Sequence, residues 1–188
     1  MHRRTEAMAA RVYITGAAGS GTTLLGRGLA ERLGVPHLDT DDFFWAPTDP
    51  PYTLRRPVEE RLALIAAAQV GQGGDGWVLS GAADGWGEVA IQGAALIVFL
   101  LTPTPVRLAR IRRRETEKFG DRIRPGGDLA ENHRDFLNWA ASYDDPYFRG
   151  RSLQRHRDWL AGRSEPVLEL SGTLPPAEMV ETVLARLG

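Results

Sequence analysis

The sequence contains no cysteine. That absence excludes disulfides, thiolate metal sites and a cysteine nucleophile. Long hydrophobic runs are missing too: the longest apolar stretch, "AALIVFLL" at 94–101, is far too short to cross a bilayer. Neither sign of charge dominates, because 23 basic and 24 acidic residues leave a formal net charge of −1. Such a chain has no global pull toward nucleic acid or an anionic membrane, so cationic function must come from a local cluster. The opening "MHRRTEAMAA" is charged but lacks the apolar segment of a signal peptide, and residues 1–9 read as a frayed, disordered start. The 188 residues, 43% hydrophobic and 25% charged, fit a single globular domain over 1–188, expected in the cytoplasm.

Strand and helix signals alternate along what is there. "RVYITG" (11–16) is a β-rich run ending in glycine. Residues 22–34 read as a helix, with Leu25, Leu29 and Leu33 at i, i+4, i+8 and Gly34 as its stop. "PHLDTDD" (36–42) reads as a short strand ending in acids, and 56–69 as a helix with Pro57 in its first turn. "GWVLSG" (76–81) reads as a strand, and "ALIVFLL" (95–101) as a strand buried on both faces. A helix over 104–120, a strand over 166–172 and a helix over 175–187 complete the pattern. Five strands separated by helices predict an α/β fold, a doubly wound five-stranded parallel sheet with ligands at the carboxyl ends of its strands. Segments 45–56 and 120–152, rich in Pro, Gly, Asp and Arg, read as excursions over that ligand face.

One further absence concerns chemistry. In "GAAGSGTT" (16–23), Gly16, Gly21 and Thr23 fall into the register of the Walker A pattern G-x-x-x-x-G-K-[ST], but Thr22 stands at the lysine position. The strand before and the helix after are the context a phosphate loop requires. Glycines 16, 19 and 21 allow backbone N–H groups to turn inward as an anion nest. The helix N-terminus behind them adds about half a positive charge. Gly16, Ala18, Gly19, Ser20, Gly21, Thr22 and Thr23 are the expected nucleotide-binding set, and Thr23 Oγ stands where a Mg²⁺ ligand belongs. The competing account is a tight strand-to-helix turn that binds nothing.

"GAAGSGTTLLGRGLAERLG" resembles the first loop and helix of the P-loop small-molecule kinases related to adenylate, cytidylate and shikimate kinases. The "GSGTT" form resembles archaeal-type cytidylate kinases, which also carry Thr at the lysine position. "PHLDTDDFFW", with its Asp39 and Asp41 pair, is similar to the second strand of shikimate-type kinases and of bacterial topology-modulation proteins. "VFLLTPTPVRLARIRRRE" looks like the fourth strand and the helix leading into the lid, which would span 116–152. The resemblance implies a P-loop NTPase fold and transfer of the γ-phosphoryl of Mg·ATP. Adenylate kinase relatives end their third strand in Asp-Gly, whereas this chain has Ser80-Gly81. The acid for Mg²⁺ is therefore expected from Asp39 or Asp41, on a strand beside the loop strand. Alternation from Leu38 puts Asp39 on the opposite face and Asp41 at the strand's mouth, which favours Asp41 as the metal-linked and catalytic acid. Helix capping is the competing account of this acidic run.

The missing lysine leaves a charge deficit that arginines can fill, since phosphoryl transfer depends largely on positioning and electrostatic stabilisation. Arg107, Arg110 and Arg114 lie at i, i+3, i+7, on one helix face. By resemblance to nucleotide kinases, Arg110 would stack on adenine, Arg114 would contact phosphate and Arg122 would close over the transferring group. A solvated basic face paired with Glu115 and Glu117 is the alternative. Asp39, Phe44, Trp45 and Ser80 are expected to line the acceptor pocket, while His37 and His133, without partners at metal spacing, read as structural. The acceptor is expected to be a small molecule: a nucleoside monophosphate first, a hydroxylated metabolite of the shikimate or gluconate type second. A nucleotide-binding regulatory module, like the topology-modulation proteins, is the rival from another class. Oligomeric state is left open. Calorimetry is expected to show Mg·ATP binding that Gly21→Val abolishes by blocking backbone approach. No binding of any nucleoside triphosphate at millimolar concentration would dispose of the nucleotide reading.

Overall fold

The structure, a computed structural model, describes residues 10–70 and 76–188. The expected frayed start at 1–9 lies outside the described residues. In chain order the elements are β1 (Arg11–Gly16), α1 (Thr22–Leu33), β2 (His37–Asp39), α2 (Thr40–Phe44), α3 (Val58–Val70), β3 (Trp77–Ser80) and α4 (Glu88–Ile91). They continue with β4 (Leu96–Leu101), α5 (Thr104–Phe119), α6 (Ala130–Ala141), α7 (Leu153–Ala161), β5 (Val167–Ser171) and α8 (Pro176–Leu187). All strand pairs are parallel, in the order β2-β3-β1-β4-β5. This is the predicted doubly wound sheet with helices on both faces. Strand order reverses at β1, so the crevice beyond its carboxyl end is the place where such folds bind ligands.

Two expectations need correction. The acid-bearing β2 is not beside β1, because β3 is inserted between them. The predicted strand over 36–42 ends at Asp39: its carboxylate accepts the N–H of Asp41 at 3.1 Å and so caps α2, which takes up the next two acids. Capping by a side-chain oxygen satisfies an otherwise orphaned helix donor, and here it outweighs strand continuation. The helix α6 lies within the 116–152 excursion, where a helical lid is expected, and α7, unforeseen, follows it; together they bring 120–161 back over the sheet.

The sheet buries both faces. Val12, Ile14, Val78, Val98 and Leu100 pack against Leu25 and Leu29 of α1 and Met179, Val180 and Val183 of α8. Tyr13, Leu79, Ile97 and Phe99 face Ile65, Ile91 and Leu160 on the other side. Each such aliphatic or aromatic side chain contributes about 1.5–3 kcal/mol on burial, and alternation along β1 assigns neighbours to opposite clusters. Among the described residues, no helix is long and apolar enough to cross a membrane.

Arg107 departs from the shared exposed face expected of it, for it is completely buried. Its guanidinium donates to the carbonyls of Thr102 at 3.0 Å, Ala140 at 3.0 Å and Ala18 at 3.4 Å, and to Thr104 Oγ1 at 2.7 Å. Asp144 Oδ2 lies 3.4 Å away. Arg107→Ala would leave these acceptors unpaired, and urea denaturation is expected to register a loss of about 3 kcal/mol or more. The exposed Arg112→Ala should stay within about 0.5 kcal/mol of the parent.

Candidate active site

The loop from Gly16 to Thr22 leaves β1, turns sharply with Ser20 N–H on Ala17 O at 3.0 Å, and enters α1. Gly21, the N-cap, has φ +107°, a backbone conformation that side-chain-bearing residues rarely adopt. A Cβ on Gly16 would lie 2.7 Å from Leu100 O and 2.6 Å from Ser20 Oγ, so the loop folds tightly on itself. Ser20 Oγ is wholly buried, faces Gly16 across the loop, and among the described residues has no hydrogen-bond partner. An unsatisfied buried hydroxyl costs about 1–3 kcal/mol and is the kind of group an incoming phosphate oxygen would satisfy. Ala18 and Gly19 lie at the loop's bend, and Thr22 and Thr23 open α1.

Thr23 is not alone. Its hydroxyl donates to Asp39 Oδ2 at 2.7 Å, so Asp39 is the carboxylate held against the Walker threonine. Although β2 and β1 are not adjacent, α1 crosses β3 and carries Thr23 to β2. Asp41 stands one helical step on, solvent-accessible at the crevice mouth. Surrounding protein and the negative charge of Asp39 push its pKa up, against the opposing pull of Arg151 and Arg114. Two crowded carboxylates beside a phosphate loop favour a cation between them. Among the described residues, no group of three or more His, Cys, Asp or Glu converges into a complete protein metal site.

The arginines divide by task. Arg110 donates to Ser20 O at 3.1 Å and Gly172 O at 2.9 Å, bridging the loop to the turn after β5. Arg114 is exposed, with Glu115 3.8 Å away. Arg122 is bonded to Asp128 and Asp49, at 2.7 and 2.8 Å, and so ties the excursion over 45–56 to the turn after α5. In this conformation its guanidinium is committed to carboxylates rather than presented to the loop. Arg151, which the sequence offers with Arg149 and Arg155 among the arginines that could fill the charge deficit but without an individual task, donates to the carbonyl of Gly16. No local signal marks this contact, since the two residues are 135 positions apart.

Ser80, expected to contact substrate, has no exposed surface. Its hydroxyl bonds His37 Nε2 at 2.8 Å over Gly26, where a Cβ would collide with the imidazole at 2.5 Å. β3 is an interior strand, and that side of it is filled by α1. Burial pushes the His37 pKa down, which keeps the ring neutral in this contact. Phe44 and Trp45 instead join an aromatic cluster with Trp86 and Tyr52. Arg61, 7% exposed, lies 3.9 Å over Phe44 and 5.1 Å over Trp86, and among the described residues only its Nε is hydrogen-bonded, to Arg56 O. Arg55 sits 5.7 Å over both Phe44 and Trp45. Among the described residues no carboxylate pairs with Arg55 or Arg61, although their charges oppose each other.

The phosphate loop at the switch point of a β2-β3-β1-β4-β5 sheet defines a P-loop small-molecule kinase fold. A sugar kinase from Janibacter sp. HTCC2649 superposes with a TM-score of 0.51 over 94% of this chain and 93% of its own, at 18% identity. Shikimate kinase from Aquifex aeolicus vf5 gives a TM-score of 0.51 over 94% and 95%, at 16% identity. At these identities the likeness is one of fold. No family model matches the sequence. YqaC of Bacillus subtilis (strain 168) is 37% identical over 180 residues, covering 96% of this chain and 98% of that protein. The chain belongs to the YqaC family.

The Thr23–Asp39 contact makes a distinction that calorimetry can read. Asp39→Asn should lose the enhancement of ATP affinity by Mg²⁺, about tenfold or more, whereas Asp41→Asn should keep it within about threefold. The reverse pattern would restore Asp41 as the metal-linked acid.

Proposed function

We propose that the protein is an ATP-dependent phosphotransferase whose acceptor is a small molecule bearing an anionic group. The observation that carries this reading is the pair Arg55 and Arg61 on aromatic faces, without a carboxylate partner among the described residues, one short helix away from a phosphate loop. Buried or stacked guanidinium groups are ordinarily matched by carboxylates, and two neighbouring ones without such a match fit an anionic ligand. Phe44, Trp45 and Trp86 offer ring faces for the remainder of that ligand. A nucleoside monophosphate and a sugar acid both meet this description.

The donor half rests on the loop. Its backbone nest and the Ser20 hydroxyl suit the β- and γ-phosphates of ATP, and Arg110 lies where the base would be flanked. Thr23 and Asp39 are oxygen donors of the type Mg²⁺ takes, and the ion when bound neutralises charge developing on the phosphates. Asp41, with its raised pKa, is suited to orient or deprotonate an acceptor hydroxyl. For a phosphate acceptor, already ionised, that task falls away. Residues 116–152 act as a lid in this reading, and Arg122 reaches the transferring group only after release from Asp49 and Asp128.

ADP release in the presence of Mg·ATP and a panel of nucleoside monophosphates, sugar acids and neutral sugars tests the proposal. At least one anionic compound should stimulate release by about tenfold or more, and neutral sugars should not. Arg61→Met should raise the acceptor's KM about tenfold while leaving that of ATP unchanged, as expected for one lost charge-assisted contact. Slow hydrolysis indifferent to every addition would instead identify a regulatory nucleotide-binding module.

A further inference from the structure

The loop lacks its lysine, and Lys118 is the only lysine in the sequence, exposed and bonded to Tyr52 Oη. Every other basic side chain is an arginine. Of those that reach the loop, Arg107 is consumed by buried acceptors and Arg110 has both terminal nitrogens on backbone carbonyls. Arg151 differs. One terminal nitrogen is on the carbonyl of Gly16, the first residue of the loop, while Nε donates to His156 Nε2 at 3.3 Å. Among the described residues its other terminal nitrogen has no hydrogen-bond partner, and the side chain keeps 19% of its surface open.

The surroundings fix this guanidinium in place. Ser152, buried, caps α7 by accepting the Arg155 N–H, which sets the chain direction at Arg151. His156 is fully buried, and Tyr143 Oη lies 2.6 Å from its Nδ1. Asp84 Oδ1 lies 4.0 Å from Arg151 Nε and 3.4 Å from His156 Nε2. Burial alone would raise the Asp84 pKa, but His156 and Arg151 outweigh it and hold the carboxyl ionised. The charge of Arg151 also opposes the rise of the Asp41 pKa.

We propose that Arg151 supplies in trans to the loop the positive charge missing at Thr22, contacting the terminal phosphates of a bound nucleoside triphosphate while anchored on Gly16. This rests on the nucleotide-binding half of the function proposed above and not on transfer. The loop doubles back so closely that the Ser20 hydroxyl lies against Gly16, and Arg151 is tethered to that same first residue of the loop. Because Arg151 lies at the end of the 116–152 segment, the charge is complete only while that segment is docked. A loop lysine would be present at all times.

A double-mutant cycle between positions 22 and 151, read as calorimetric affinity for Mg·ATP and for AMP, tests this without requiring turnover. Arg151→Ala should weaken ATP about tenfold or more and AMP less than about threefold, the size of one lost charge-assisted contact. Thr22→Lys in the Arg151→Ala background should restore most of that loss. Thr22→Lys alone, which leaves the Arg151 network intact, should gain less than about threefold, because the charge is already supplied. If Thr22→Lys alone tightens ATP by about tenfold or more, the site was empty of cationic charge and the proposal fails. It fails equally if folded Arg151→Ala binds ATP like the parent, or if the double variant stays as weak as Arg151→Ala. An absence of acceptor-stimulated ADP release, with the cycle behaving as expected, would overturn the transferase reading and leave Arg151 in its role.

Discussion

A full positive charge with no access to water organises the centre of this protein. Arg107 sits among three backbone carbonyls, a threonine hydroxyl and the outer edge of one carboxylate. A charge so enclosed is tolerated only if its donors are satisfied, and the acceptors come from four places in the chain: the phosphate loop, the end of β4, the start of α5 and α6. Meeting that demand fixes the elements relative to one another. The loop itself has no slack on this side: a Cβ on Gly19 would lie 2.7 Å from Arg107 O. The turn after β5 presses equally close, with a Gly172 Cβ only 2.5 Å from Ser20 O. The nest is thus rigid before any anion arrives, which lowers the ordering cost of binding.

What the sequence made legible is what short-range patterning encodes. β1, the loop and α1 form one contiguous strand–turn–helix whose glycines are local requirements. The apolar run of β4 and the Leu25–Leu29 spacing of α1 likewise state their burial directly. Neighbour relations were not legible in the same way. Strands β2 and β3 read alike as short segments, and nothing in either says that β3 lies against β1. The choice between Asp39 and Asp41 turned on that point together with the cap: the strand is three residues long, not seven, so the alternation rule was extended past its end. Ser80 was misjudged because a strand terminus facing α1 looks, in one dimension, like one facing the crevice.

Arg107 and Arg151 show the same limit from the side of charge. Spacing placed Arg107 with Arg110 and Arg114 on one helix face, and the face does exist, but a single face runs from core to solvent along the helix. Arg107 is buried at one end and Arg114 exposed toward the other. Helical periodicity gives direction and not depth. Arg151 stands among the candidate arginines in the sequence, but its contacts are hidden for a different reason. Its partners Gly16, Asp84 and His156 come from the loop, the segment after β3 and α7, and only the folded sheet brings them together.

The distribution of charge has a consequence for how such a site works. A loop lysine would hold constant attraction for phosphate whether or not the rest of the site was assembled. Here the loop contributes only backbone dipoles, the buried arginines are neutralised by acceptors, and the acids Asp39 and Asp41 face the crevice. In the proposed function, attraction for a triphosphate would therefore depend on cations brought by the chain that arches from α5 to α7. Arg114 lies at the start of that arch and Arg151 at its end, and both already bear on Asp41. The arch is latched at Arg122, whose bonds to Asp49 and Asp128 join it to the excursion that also carries the aromatic cluster. In the proposed function, binding of donor and acceptor would act on one connected segment. The phosphates would draw its arginines inward, and an anion near Arg55 and Arg61 would settle the excursion to which it is tied. Coupling of this kind would favour the ternary complex over either binary one and so protect a phosphoryl group from water.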